Sequence, residues 1–331
     1  MVSLYRASLV AFCLASALPL AAQAADAPAQ AADPAAASAP TPRPPLADRS
    51  ADEALALQRR VPKEQQRSLE ANGESFLALW KPANDTDPHG AVIIVPGAGE
   101  NADWPIGVGP LRQKLPDAGW HSLSVTLPDL VADMPQARAA PAPTPAAAPA
   151  GQTAPAKDTP DDANANVAQA TSPDADTAEA TDAEDATEHN DQADAERIFA
   201  RLQAAISYAQ QQNARSVVLL GQGSGAYWAA RFVSEKQPPE VQKLVLVAAQ
   251  TPARVEDGLP SLVPTLKVPT ADIYYALRSA DKAAAEQRLQ ASKRVKDSQY
   301  RQLSLIATPG DSAAQQEQLF RRVKGWLAPQ Q

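Results

Sequence analysis

Four consecutive apolar residues, Val217-Val218-Leu219-Leu220, run directly into Gly221-Gln222-Gly223-Ser224-Gly225-Ala226 and out again through Tyr227-Trp228-Ala229-Ala230. A strand that is apolar on both faces has to be covered on both sides, so the run predicts a central strand of a parallel sheet. Three glycines at alternate positions give a turn tight enough to lead straight into a helix. That strand, turn and helix set the architecture: a covered sheet with helices packed on it.

From about Phe76 the rest of the chain alternates in the same way. Residues 76–80 read as a short strand and 91–95 as a second buried one, left through Pro96-Gly97-Ala98-Gly99. Val108, Leu111 and Leu115 mark one face of a helix ending at Gly119, and a strand is predicted at 121–127. Ile198, Leu202, Ala205, Ile206 and Ala209 share a helical face. Further strands are predicted at 244–248, 273–277 and 303–307, and helices at 281–296 and 313–327. Such repetition requires right-handed crossovers and a mainly parallel sheet with helices on both faces. Its ligand crevice lies outside the carboxyl ends of the strands. The loops that matter are therefore 96–104, the region after Leu127, 221–226, the segment after Gln250, 279–281 and 308–312.

The 331 residues are not all of this kind. Arg6, an apolar run over 7–20 and Ala22-Gln23-Ala24 have the form of an export signal covering 1–24, too short to be a spanning helix. The single cysteine, Cys13, falls inside it behind bulky Phe12, so the processed chain has no disulfide, Cys nucleophile or thiolate metal site. Residues 25–49 form an Ala/Pro-rich tail and 132–195 an acidic low-complexity insertion; both have too little apolar surface to offset the entropy of ordering. What remains is 218 residues, suited to one domain over 50–331 interrupted by the insertion. The insertion carries 13 Asp/Glu against 2 Lys/Arg in a chain of formal charge −8, so the acidity belongs to it and the domain is near neutral. No electrostatic footprint for nucleic acid or an anionic membrane is left. Glu100 and Asp103 have no His partner, and no metal or cofactor is expected.

Glycines two residues either side of a central position, between strand and helix, resemble the nucleophile elbow of the α/β-hydrolase superfamily, and the resemblance extends from about residue 76 to the C-terminus. More narrowly, Asp103-Trp104-Pro105, Gly109-Pro110-Leu111-Arg112, Gly119-Trp120 and Leu123-Ser124-Val125-Thr126-Leu127-Pro128 look like a bacterial family of exported, uncharacterised hydrolase-like proteins, a domain of unknown function. The resemblance implies an α/β-hydrolase-like fold with an oxyanion-type loop at Gly97, Ala98 and Gly99. Equally, Pro-Gly-x-Gly is the sharp turn needed to leave a buried strand. Trp104 either lines the crevice or packs at a helix start.

The elbow lacks its nucleophile. With Gly221 and Gly225 at the small flanking positions, the central residue is Gly223, which has no side chain. Shifting the frame makes Ser224 central, but places Gln222 where a small residue is needed. A serine nucleophile in this fold relies on a His after the last strand, and His89, His121 and His189 all precede it. His89 and His121 belong at the amino edge of the sheet, and His189 lies in the low-complexity segment. Asp281 is either a triad acid or an N-cap of the helix that follows. The expected function is binding or accessory: an exported protein, periplasmic or secreted, whose crevice holds a small molecule or meets an envelope partner. The alternatives are an atypical carboxylic-ester hydrolase using Ser224 and a dinucleotide-binding protein using Gly221-x-Gly223-x-x-Ala226.

Overall fold

The computed structural model describes residues 48–131, 176–253, 255, 257–306 and 308–328, with the backbone alone for 176–189. The segment expected to be an export signal, the Ala/Pro-rich stretch up to residue 47 and residues 132–175 of the acidic insertion lie outside the described residues. Among the described residues helix α1 (Arg49–Arg60) is the first element, with Asp48 at its N-cap position. Strands β1 (Gln66–Ala71) and β2 (Glu74–Lys81) form an antiparallel hairpin in which Leu69 faces Phe76 and Ala71 faces Glu74. Asn72 and Gly73 form its two-residue turn, both at positive φ (51° and 80°), a geometry that matches the twist of paired strands. Asn-Gly between strands signals a hairpin, and it marks the one strand that periodicity missed, because the polar edge sequence QRSLEA hides it.

Strand β3 (Gly90–Val95) is followed by α2 (Val108–Lys114), β4 (Trp120–Val125) and the long helix α3 (Asp176–Gln211). Next come β5 (Val217–Gln222), α4 (Ser224–Lys236), β6 (Val241–Val247), the short α5 (Leu259–Leu262) and β7 (Thr270–Tyr275). Helix α6 (Ser279–Ser292), β8 (Tyr300–Leu305) and α7 (Ser312–Leu327) complete the domain. The eight strands lie in the order β1-β2-β4-β3-β5-β6-β7-β8, parallel from β4 to β8 with β2 antiparallel to its neighbours. This is the mainly parallel, helix-covered sheet that the sequence predicts.

Alternation along β3 and β5 divides the core. Ile93, Val95, Val217 and Leu219 face α3 and α4, packing with Ile198, Leu202 and Phe232. Val92, Ile94, Val218 and Leu220 face α2 and α7, packing with Leu111, Leu319 and Val323. Both strands are buried along their whole length, which is why they read as unbroken apolar runs. A smaller cluster of Leu57, Val61, Leu77, Leu79 and Ala102 fastens α1 to the sheet.

Boundaries moved where a polar residue is buried. The strand predicted at 273–277 runs Thr270–Tyr275 instead, and Leu277, beyond its end, is exposed. Its middle residue Asp272 is fully buried and bound by Arg288, an arrangement hydropathy cannot anticipate. The last strand ends at Leu305, with Ile306 exposed and Ala307 outside the described residues. The C-terminal part of the acidic segment is helical: α3 begins at Asp176, and Asp194 and Ala195 are buried against the domain. His189 falls in the stretch of α3 described by its backbone alone.

Candidate functional site

Strand β3 has β4 on one side and β5 on the other, so the chain's direction of travel reverses between β3 and β5. A ligand crevice is expected outside the carboxyl ends of these two strands. The loop leaving β3 is Pro96–Gly99, and β5 is joined to α4 by the single residue Gly223.

Packing dictates the elbow glycines. A Cβ on Gly221 would lie 2.4 Å from Ala226 Cα, and one on Gly225 would lie 2.2 Å from Pro96 O. These two positions let α4 descend onto β5 and β3 with no side chain between, so both serve tight packing. Gly223 differs. It holds φ 56° and ψ −125°, a conformation that L-residues rarely adopt, yet a Cβ there would meet nothing nearer than Gly97 Cα at 3.8 Å. Gly223 thus occupies the strained apex of the elbow, with room for a side chain that it does not have.

The next residue fills part of the gap. Ser224 Oγ accepts a 2.7 Å hydrogen bond from Ala98 N–H. Ala98 N–H is the donor expected for an oxyanion hole, and here it is occupied by the protein's own hydroxyl. Gly97 N–H is also committed, donating to Glu100 Oε2 at 2.8 Å. Glu100 Oε1 accepts from Gln222 Nε2, which also donates to Ile106 O. Gln222 passes so close to Gly107 that a Cβ there would stand 1.7 Å from its Oε1. Gln222, Glu100 and Gly97 thereby brace the loop after β3 against the end of β5. Gly99 turns that loop at φ 78° and lies on the crevice wall.

Two adjoining cavities, of about 450 Å³ and 600 Å³, share Gly97, Ala98, Glu100, Leu130, Ser224 and Trp228 as their common wall. The smaller extends towards Thr251 and Val255 and carries the carboxylates Glu100, Asp191 and Asp194; the larger reaches Asp129 and the start of α1. Asp191 is anchored by Arg231 at 2.7 Å. Burial works against the charge on Arg231, but hydrogen bonds to Glu235 and Asp191 outweigh it and push its pKa up. The indole of the crevice is Trp228. Trp104 instead packs half-buried on the core beside Val92 and Val108, and its carbonyl accepts from Gly109 N–H. Trp228 was hidden in sequence because an aromatic in the first turns of a buried helix looks like ordinary packing.

Asp281 makes its hydrogen bonds to Arg278 and not to Ser224 or a histidine. It occupies the first turn of α6, gripped by Arg278 at 2.8 and 2.9 Å, and lines a cavity with Tyr274 and Tyr275 that shares Gln250 and Thr251 with the smaller crevice cavity. Arg278 holds the N-cap position, so Asp281 acts within the first turn and not as the cap itself. After β8, where a catalytic His would be presented, Asp311 caps α7 by accepting from Ala314 N–H at 2.8 Å. His121 stacks on Trp80 at the amino edge; burial lowers its pKa, and its Nδ1 accepts from Ala83 N–H. His89 packs on Trp120 at the same edge. Among the described residues no group of three His, Cys, Asp or Glu side chains is placed to hold a metal ion, and no helix is long and apolar enough to cross a membrane.

The structure is similar to a protein from Klebsiella pneumoniae subsp. pneumoniae MGH 78578 provisionally described as a dienelactone hydrolase, at 11% identity and TM-score 0.50, covering 80% of this chain and 98% of that one. Lower similarity is found to a dienelactone hydrolase from Anabaena variabilis ATCC 29413 (15% identity, 79% and 97% covered, TM-score 0.48). Est1E from Butyrivibrio proteoclasticus is comparable (8% identity, 80% and 100% covered, TM-score 0.48). At these identities the likeness concerns the fold alone. No curated protein matches the sequence. Residues 6–329 match the family described as "Protein of unknown function (DUF3530)". The chain belongs to that family and has the α/β-hydrolase fold.

Proposed function

We propose that this protein is an exported binding or accessory protein, periplasmic or secreted, which uses the crevice of an α/β-hydrolase fold to hold a small molecule or an envelope partner without Ser-His-acid turnover. The observation that carries the reading is the conformation of Gly223. The backbone keeps the strained apex on which a nucleophile would stand, and the residue there has nothing to attack with. Ser224, one position on, has its hydroxyl drawn against Ala98 N–H. The crevice keeps its volume, its indole and its carboxylates, all of which serve binding.

A rival reading, a carboxylic-ester hydrolase using Ser224, draws support from the position of that hydroxyl at the N-terminus of α4 and on the crevice wall. A fluorophosphonate probe separates the two. The binding reading expects no labelling and no turnover of short-chain aryl esters; stoichiometric labelling that disappears in Ser224→Ala would overturn it. Export is tested by sequencing the N-terminus of protein recovered from the cell envelope, where the expected first residue is Ala25.

A further inference from the structure

A third cavity, of about 730 Å³, lies beside the crevice between α1, the β1–β2 hairpin and α3. Its polar side carries Arg67, Arg197 and Arg201, with the carboxylates Asp48 and Glu74 at its rim, so cations outnumber anions in the wall. Arg197 and Arg201 sit one turn apart on α3, and Tyr208 continues the same face two turns further on. Like charges at that spacing repel and cost stability unless something lies between them.

Neutral oxygens aim these guanidinium groups. Arg201 NH1 donates to Thr126 O at 2.8 Å, Arg197 NH1 to Asp129 O at 2.9 Å, and Arg67 to Tyr208 Oη and the carbonyls of Glu64 and Gln66. Carboxylates stand further away: Glu74 is 3.6 Å from Arg201 and itself 61% exposed, and Asp194 is 3.7 Å from Arg197. Arg201 is 10% exposed and lies over the Phe76 ring. Burial, with Arg197 adding to it, lowers its pKa in spite of the charge and hydrogen bonding of Glu74 and the charge of Asp129. A desolvated guanidinium with so loose a counter-charge is costly unless an anion completes it. In the same wall the hydroxyl of Thr126, a residue 4% exposed, has no hydrogen-bond partner. The rest of the wall is apolar: Ala54 and Leu55 of α1 with Leu77 of β2, and Phe76 beneath Arg201; Leu55 is half exposed although it lines the groove.

We infer that this groove binds an anionic amphiphile, its carboxylate or phosphate head between Arg197 and Arg201 and its aliphatic chain along Leu55 and Phe76. The head would take guanidinium N–H donors that their carbonyl partners leave free, in the charge-assisted geometry that Arg supplies best. The chain would cover Leu55. The inference concerns a site distinct from the elbow and holds whether or not Ser224 is reactive.

Calorimetric titration of the full processed chain with decanoate, decanamide and inorganic phosphate tests it. Decanoate is expected to bind, and decanamide, the same chain without the charge, at least tenfold more weakly. Arg197→Gln and Arg201→Gln are each expected to weaken decanoate about tenfold, as for one lost charge-assisted bond. Arg201→Lys should recover part of the loss, and Arg321→Gln on the exposed side of α7 should change nothing. Circular dichroism establishes that each variant is folded; should Arg201→Gln fail, Arg197→Gln, at a partly exposed position, carries the test. Equal affinity for decanoate and decanamide overturns the inference, as does decanoate binding that ignores both arginines. Phosphate binding through these arginines with none by decanoate overturns the amphiphile and leaves a free-anion site.

Discussion

Three glycines within five residues do different work. Gly221 and Gly225 are fixed by contact, because a single methyl group at either would drive into backbone atoms of Ala226 or Pro96. Gly225→Ala is expected to cost roughly 3 kcal/mol or more, measured by urea denaturation, since backbone rather than a flexible side chain would have to give way. Gly223 is fixed by its dihedral angles alone. Gly223→Ser has space for its side chain and is expected to fold with a penalty of about 1–3 kcal/mol from backbone strain. It should remain inactive on aryl esters, because His89 and His121 stand at the amino edge, across the sheet from the elbow. A large gain in turnover by this variant would show that a base is already in place. Sequence spacing located these glycines; only the coordinates separated the two that are packed from the one that is strained.

Among the elements, α1 and the β7–α6–β8 corner show how polar residues decide what hydropathy leaves open. Helix α1 has one fully buried side chain, Leu57, and its first turn is tied down by Asp129, whose Oδ2 accepts from Ser50 N–H at 2.8 Å. Asp129→Ala is expected to cost about 1 kcal/mol, as for loss of an N-cap. Faster amide exchange confined to the start of α1 would be the readout. In the corner, Asp272 receives Arg288 through two hydrogen bonds together with Gln302 Nε2 and the Tyr300 hydroxyl. Burial opposes the charge on Arg288, but Asp272 more than offsets it and raises its pKa. Arg288→Met leaves a carboxylate buried in the sheet and should cost on the order of 3–5 kcal/mol by denaturant titration. The double replacement of Asp272 and Arg288 by apolar residues should be milder than the single one. Strand β7 was placed three residues late in sequence for the same reason: a buried aspartate looks like a loop until its arginine partner, sixteen residues on, is seen beside it.

For the whole molecule, alkaline pH is the condition that tests the packing broadly. Burial raises the pKa of Tyr227, to about 12, and that of Tyr275 and Tyr300, with Asp272 adding to the last. A phenol whose pKa is higher folded than unfolded contributes stability that is fully present below pH 10 and declines as pH rises from 10 towards 12 and beyond. Stability should therefore fall from about pH 10 upward. The phenolate absorbance of these three tyrosines should appear together with loss of circular dichroism; titration of all three before unfolding would contradict the assigned burial.

By itself the sequence determined the layered sheet, the glycine-rich turn after its central strand and the amino edge for His89 and His121, because all of these follow from local pattern and spacing. The strand over 66–71 was not legible in hydropathy, because its edge sequence QRSLEA is polar. Tertiary structure alone decided that Trp228 and not Trp104 lines the crevice, and that Ser224 closes on Ala98. It also decided that three arginines from β1 and α3 share one groove. Each of these depends on residues up to more than a hundred positions apart meeting across the carboxyl edge of the sheet, and no periodicity carries that information.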